Sequence, residues 1–163
     1  MTPLESALWD RILGFCLDHR EAAFSFAARL AKENGWELLY ALRVLDEYRK
    51  FAFLLAAAGH FVVPSDAVDQ AWHLHILFTK SWGAFCTGVL RMPVHHEPAF
   101  AGSDDGDRFK SGYEQTIETY RHYFGEPPKD IWPDMGRRFG RDLHYQRVNL
   151  ATHFLIPRFW LRR

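Results

Sequence analysis

Val68-Asp69-Gln70-Ala71-Trp72-His73-Leu74-His75, running on through Ile76-Leu77-Phe78-Thr79 to Cys86, is the stretch that decides how this chain is read. Ala67, Val68, Ala71, Trp72, Leu74, Ile76, Leu77, Phe78, Trp82 and Phe85 make it apolar in nearly every direction, and a helix apolar all round is a buried helix. Ser65 offers an N-cap hydroxyl, Asp66 puts negative charge in the first turn, and Gly88 and Pro93 limit the far end. The pattern predicts one central helix over residues 66–89.

Helical periodicity extends outward on both sides. Leu4, Leu8, Ile12, Phe15 and Cys16 predict a first helix over 3–19, with Cys16 as a core thiol. Ala23, Phe26, Ala27 and Leu30 predict a second over 21–33, ended by Asn34-Gly35. A third is expected over 36–58, with Asp46, Glu47, Arg49 and Lys50 on its wetter side. Residues 91–106 lose all periodicity and read as a long loop, which in a compact domain is often functional. Phe109, Tyr113, Ile117, Tyr120 and Phe124 predict a last helix over 107–124. Gly125-Glu126-Pro127-Pro128 stops it, and Ile131-Trp132-Pro133 reads as a hydrophobic clip laid back on the body. The fold class is therefore all-α: a single compact domain of four to five helices around a buried central helix, over residues 1–133, followed by a basic C-terminal tail, 134–163.

Composition agrees with a globular domain. The 163 residues are 48% hydrophobic and 25% charged, enough to bury a real core. Formal net charge is zero, so no global charge draws the chain to nucleic acid or an anionic membrane. The charge is uneven, because seven Arg against Asp134 and Asp142 give the tail about +5 and leave about −5 on the body. Cys16 and Cys86 alone form no disulfide framework, there is no charged-then-apolar leader, and the longest apolar run, 51–58, is far short of a membrane span. A cytoplasmic protein with no membrane partner is expected.

The chemistry-bearing groups concentrate on the central helix. Asp69 and His73 are four apart and share a face, so the carboxylate can orient the imidazole, raise its pKa or share a metal with it. A structural Asp–His hydrogen bond is the plain alternative. His75 lies about 200° round the helix from His73, on the stripe Val68, Trp72, His75, Thr79, Trp82, Cys86, where a satisfied core histidine is the plain alternative. Cys86 is about 16 Å along the axis from His75, so a straight helix cannot bring the two to one ion. The loop bearing His95 and His96 is long enough to return to either face. Asp69, His73, His75, Cys86, His95 and His96 are thus the candidate metal ligands, and their chemistry suits zinc, or iron where His and Asp dominate. Their spacing matches no tight metal signature, and no phosphate loop, dinucleotide fingerprint or nucleophile elbow is present.

Two functions follow as expectations. One is a metal-binding helical domain, an enzyme or an accessory subunit whose reaction and catalytic residues the sequence leaves unnamed. The other is a non-catalytic protein–protein interaction module, in which the His and Asp residues are structural and a partner meets the basic tail or the 91–106 loop.

Longer blocks carry a resemblance. Glu47-Tyr48-x-x-Phe51, Pro64-Ser65-x-x-Val68-Asp69-x-x-Trp72-His73-Leu74-His75-x-Leu77-x-Thr79, Phe85-Cys86 and His95-His96-x-Pro98 resemble the bacterial branch of the glycine-rich domain-containing protein-like family. The run from Tyr113 through Thr116, Tyr120, Phe124-Gly125 and Pro127-Pro128 to Ile131-Trp132-Pro133 is similar to its second block, so the likeness spans about residues 24–133. The resemblance implies a domain organised on its Trp-His-x-His block and no particular reaction. Plant relatives, linked to development and stress responses, carry a glycine-rich segment that this chain lacks.

Overall fold

Thr2 and Glu5 start the first helix by serving each other's backbone. The Thr2 hydroxyl accepts from the Glu5 amide, the Glu5 carboxylate accepts from the Thr2 amide, and Pro3 fills the first turn of α1 (Pro3–Gly14). The helix stops earlier than its apolar stripe suggests. Phe15 is already extended, the 3.6-residue period lapses, and Cys16 is exposed rather than a core thiol. A computed structural model describes residues 1–18, 23–97, 103–140 and 154, and every regular element in it is helical.

Ser25 caps α2 (Phe26–Asn34), and Gly35 ends it at φ +66°, a left-handed conformation that a side chain resists. The central rod is α3 (Leu38–Ala57), which buries Ala41, Val44, Tyr48, Phe51 and Leu54 and packs against α1, α2 and the helices at 66–77, 85–90 and 103–124. Glu47, which reads from the sequence as part of the wetter side, is buried as well. Ser65 caps α4 (Asp66–Leu77) through the Val68 amide. The long α6 (Ser103–Phe124) buries Tyr113, Thr116 and Tyr120. A Cβ on Gly112 would lie 2.8 Å from Val63 and 2.9 Å from Phe61, so glycine lets α6 close on the 61–63 crossing. The expected clip is present, with Ile131 and Trp132 buried and Asp134 capping α7 (Met135–Arg138). Among the described residues no helix is long and apolar enough to cross a membrane.

The predicted helix over 66–89 is broken. α4 ends at Leu77, Phe78 leaves the helical region (φ −83°, ψ 62°), α5 (Thr79–Ala84) follows, and Phe85–Leu90 continue as a π-helix. The break has a local cause. In a straight helix residues six apart diverge by about 120° round the axis. Here the chain folds back so that the Ser81 hydroxyl meets His75 Nε2 at 3.1 Å and the Trp82 ring closes over the imidazole. The π-helix ends at Arg91, the one non-glycine residue at positive φ among those described. Its Val89 carbonyl accepts from Arg11 Nε at 3.0 Å, which ties the segment to α1. That reversal sends the chain back along α4.

Candidate functional site

The returning loop brings His96 onto the Asp69–His73 face. His96 Nε2 lies 3.0 Å from Asp69 Oδ1 and 3.0 Å from His73 Nε2, and His73 Nε2 lies 3.7 Å from Asp69 Oδ2. One atom from each of the three residues falls within 4.8 Å of the other two. The Trp72 ring backs His96, with centroids 4.5 Å apart. Its indole N–H is buried without a hydrogen-bond partner among the described residues, a cost of roughly 1–3 kcal/mol tolerated beside the cluster.

Proton counting makes this cluster unusual. An imidazole nitrogen carries either one hydrogen or one lone pair. A hydrogen on His96 Nε2 can serve Asp69 or His73, but not both in good geometry. Without it, lone pairs face each other across 3.0 Å. The carboxylate favours the protonated choice, and the hydrogen bond that His96 donates to Asp69 raises the pKa of His96 against the opposing effect of burial. A cation shared by all three atoms removes the conflict.

The cluster is open on one side. The side chains of Asp69 and His96 are 20% and 22% exposed, and that of His73 is 47% exposed, more than an all-apolar helix would allow. All three line a groove of about 690 Å³ whose walls include Phe61, Val63, Trp72, Val94, Phe109 and Phe139. That is the size range of small-molecule sites.

The other candidate ligands are held elsewhere. His75 is fully buried, with Nδ1 2.7 Å from the Tyr48 hydroxyl, Nε2 at Ser81, and aromatic rings from Phe15, Phe26, Trp82 and Phe85 around it. Burial depresses its pKa to about 4, so it is neutral, and both nitrogens are spoken for. Cys86 is buried and its thiol pKa is raised by that burial. The structure brings neither to the cluster, because His75 faces the core from the opposite side of α4 and Cys86 is buried beyond the bend at Phe78. His95 is exposed and faces the groove and a neighbouring pocket that Cys86 also lines, but it does not join the three converging atoms. Expectations placed on residues 19–22, 98–102, 141–153 and 155–163, including most of the basic tail, lie outside the described residues.

Some residues of interest do not stand out from the chain alone. Arg108 and Arg138 line the groove from α6 and α7. Glu47 anchors a buried network, in which Oε1 accepts from Lys50 and Oε2 from Tyr120 and Trp132. The available signal was Trp132, since a buried indole N–H in an Ile-Trp-Pro clip calls for an acceptor.

Residues 18–119, well over half of the chain and the part that holds the cluster, match a protein-family model described as UCP032817-like. The chain belongs to the UCP032817-like family. This corrects the resemblance to the glycine-rich domain-containing protein-like family, which the matching model does not support. The UCP032817-like family is uncharacterised and supplies no reaction. Its match takes in Glu47, Asp69, His73, His75, His96 and Arg108, and stops short of Tyr120 and the Trp132 clip. No curated protein and no solved structure matches the chain.

Proposed function

We propose that this domain holds one divalent transition-metal ion on Asp69 and the Nε2 atoms of His73 and His96, with coordination positions left open toward the groove. The observation that carries the reading is the pair of 3.0 Å contacts meeting at His96 Nε2, which one proton cannot satisfy. Metal bonds of about 2.1 Å place ligand atoms roughly 3.0 Å apart at right angles and roughly 3.4 Å apart in a tetrahedron. The two 3.0 Å spacings at His96 Nε2 match the first value, and His73 Nε2 lies 3.7 Å from the other oxygen of the same carboxylate.

Two histidines and one carboxylate on one side of an ion suit zinc, with water in the remaining position, or iron(II) with several positions free. Either ion would act on a small molecule in the groove, by polarising it or by activating a bound water. Trp72 shields one side of the cluster, and the groove admits the reactant on the other.

Elemental analysis of full-length protein purified without an affinity tag tests this. About one zinc or iron per chain is expected, lost in Asp69→Ala, His73→Ala and His96→Ala and kept in His95→Ala and Cys86→Ser. Substoichiometric metal that is the same in all five variants sinks the reading.

A further inference from the structure

The same groove is lined by two guanidinium groups, Arg108 and Arg138, with few polar partners among the described residues. Arg108 lies over the Phe61 ring, its Cζ 4.3 Å from the centroid. Its polar neighbour among the described residues is Glu97, whose Oε2 is 3.9 Å away, too far for a hydrogen bond. Arg138 lies over Phe139 at 5.1 Å and spends its Nε on the Pro64 carbonyl at 3.3 Å. Its two terminal nitrogens make no hydrogen bond among the described residues.

Aromatic rings lie against both arginines, and their one acidic partner among the described residues is the long Glu97 contact of Arg108. Stacking on an aromatic face fixes a guanidinium plane while leaving its edge donors free, which is the arrangement that recognises a carboxylate through two parallel hydrogen bonds. Phe61 is itself fixed by Phe109, with ring centroids 5.4 Å apart, and by the close approach of Gly112. Asp69 and Glu97 are the carboxylates among the described lining residues, and an ion on Asp69 would offset the first of them. The groove that the arginines share with the Asp–His–His cluster is also lined by Phe61, Val63, Val94, Phe109 and Phe139.

We infer that the groove binds a small organic acid. Arg108 and Arg138 hold its carboxylate, the phenylalanine walls hold an apolar body, and the opposite end is presented to the Asp69–His73–His96 ion. This inference rests on the metal reading and names the substrate class for that site. It assigns Arg108 and Arg138 to binding and specificity, with no part in the chemistry at the ion.

Calorimetric titration of the zinc-loaded full-length chain distinguishes the two readings. The probes are 3-phenylpropanoate, its neutral counterpart 3-phenylpropanol, and acetate, which has the charge without the body. The phenyl acid is expected to bind at least about tenfold more tightly than either control. Arg108→Gln is expected to weaken the acid by roughly fivefold or more while zinc content, melting temperature and alcohol affinity stay unchanged. Because Arg108 is exposed, its loss leaves the fold intact; Arg138→Gln repeats the test at the second guanidinium. Equal affinities for acid and alcohol, no binding of any probe to a chain that holds zinc, or an Arg108→Gln chain that binds the acid like the wild type each overturn the inference and leave the metal site standing. A wild-type chain that takes up no metal overturns the metal reading, and this one with it.

Discussion

Glu47 and Asp69 are both carboxylates on helices of the core, and each gathers side chains from distant parts of the chain. Around Glu47 every partner is a donor: the Lys50 ammonium at 2.8 Å, the Tyr120 hydroxyl at 2.7 Å and the Trp132 indole at 2.9 Å. Hydrogens and lone pairs match, the group is 5% exposed, and nothing further is needed. Around Asp69 the partners are two imidazoles whose nitrogens also face each other, and the group opens on a groove. The first arrangement is complete and joins α3, α6 and the clip. The second is left with a conflict of hydrogens and lone pairs that the proposed cation would remove. Burial and residue type do not separate the two roles; the balance of donors and acceptors does.

The largest effect should come from unbalancing the complete site. In Glu47→Gln one amide hydrogen must confront a donor, and Lys50 loses its counter-charge. A destabilisation of roughly 2–4 kcal/mol in urea unfolding is expected, with metal content unchanged in the folded fraction. A variant as stable as the wild type would show that the clip is held by packing alone.

Asp69→Asn should behave in the opposite manner. Without added metal its stability is expected within about 0.5 kcal/mol of wild type, because the lost charge lies in an already conflicted cluster. With metal at a hundred times the dissociation constant, the wild type should gain about 2.7 kcal/mol and the variant little or none. Thermal melts with and without zinc read both numbers. An equal zinc-induced gain in both proteins would place Asp69 beside Glu47 as a structural carboxylate.

How far each site was legible follows from sequence distance. Asp69 and His73 are one helical turn apart, so their shared face could be read at once. The loop at His95-His96 could be seen to be long enough to return, but the choice of His96 depends on the π-helix and on Arg91 at positive φ, which no local pattern announces. The bend at Phe78 was equally hidden, since it arises from the His75–Ser81 contact and the rings closing over it. Glu47 was misread because its partners Tyr120 and Trp132 lie 73 and 85 residues away, beyond the reach of any periodicity. Helix type and order were legible because caps and apolar stripes are local.

His75 provides a third case between these two. Its nitrogens meet Tyr48 and Ser81 hydroxyls, which can donate or accept as the tautomer requires, so the site is satisfied without a metal. Tyr48→Phe should leave Nδ1 unmatched in a dry site and cost roughly 1–2 kcal/mol in urea unfolding. Zinc uptake should be unaltered. Loss of the metal in this variant would link the two faces of α4 and blur the contrast drawn between them.

The smallest effect should come from a carboxylate that serves the same clip at the surface. Asp130 pairs with both terminal nitrogens of Arg43, at 2.7 and 2.8 Å, with each side chain about half exposed. The Arg43 hydrogen bonds hold the Asp130 carboxyl below its usual pKa. A carboxyl depressed in the folded state stabilises above its unfolded pKa of about 4, and that contribution fades as the pH falls through the folded value. Asp130→Asn should therefore be slightly less stable than wild type at pH 7, by less than any change above because exposed pairs are screened. The difference should be constant above about pH 5 and narrow as the pH falls below the unfolded pKa of about 4. A gap that does not narrow at all under acid would mean that the asparagine disturbs the clip sterically and that the ion pair contributes nothing to holding it.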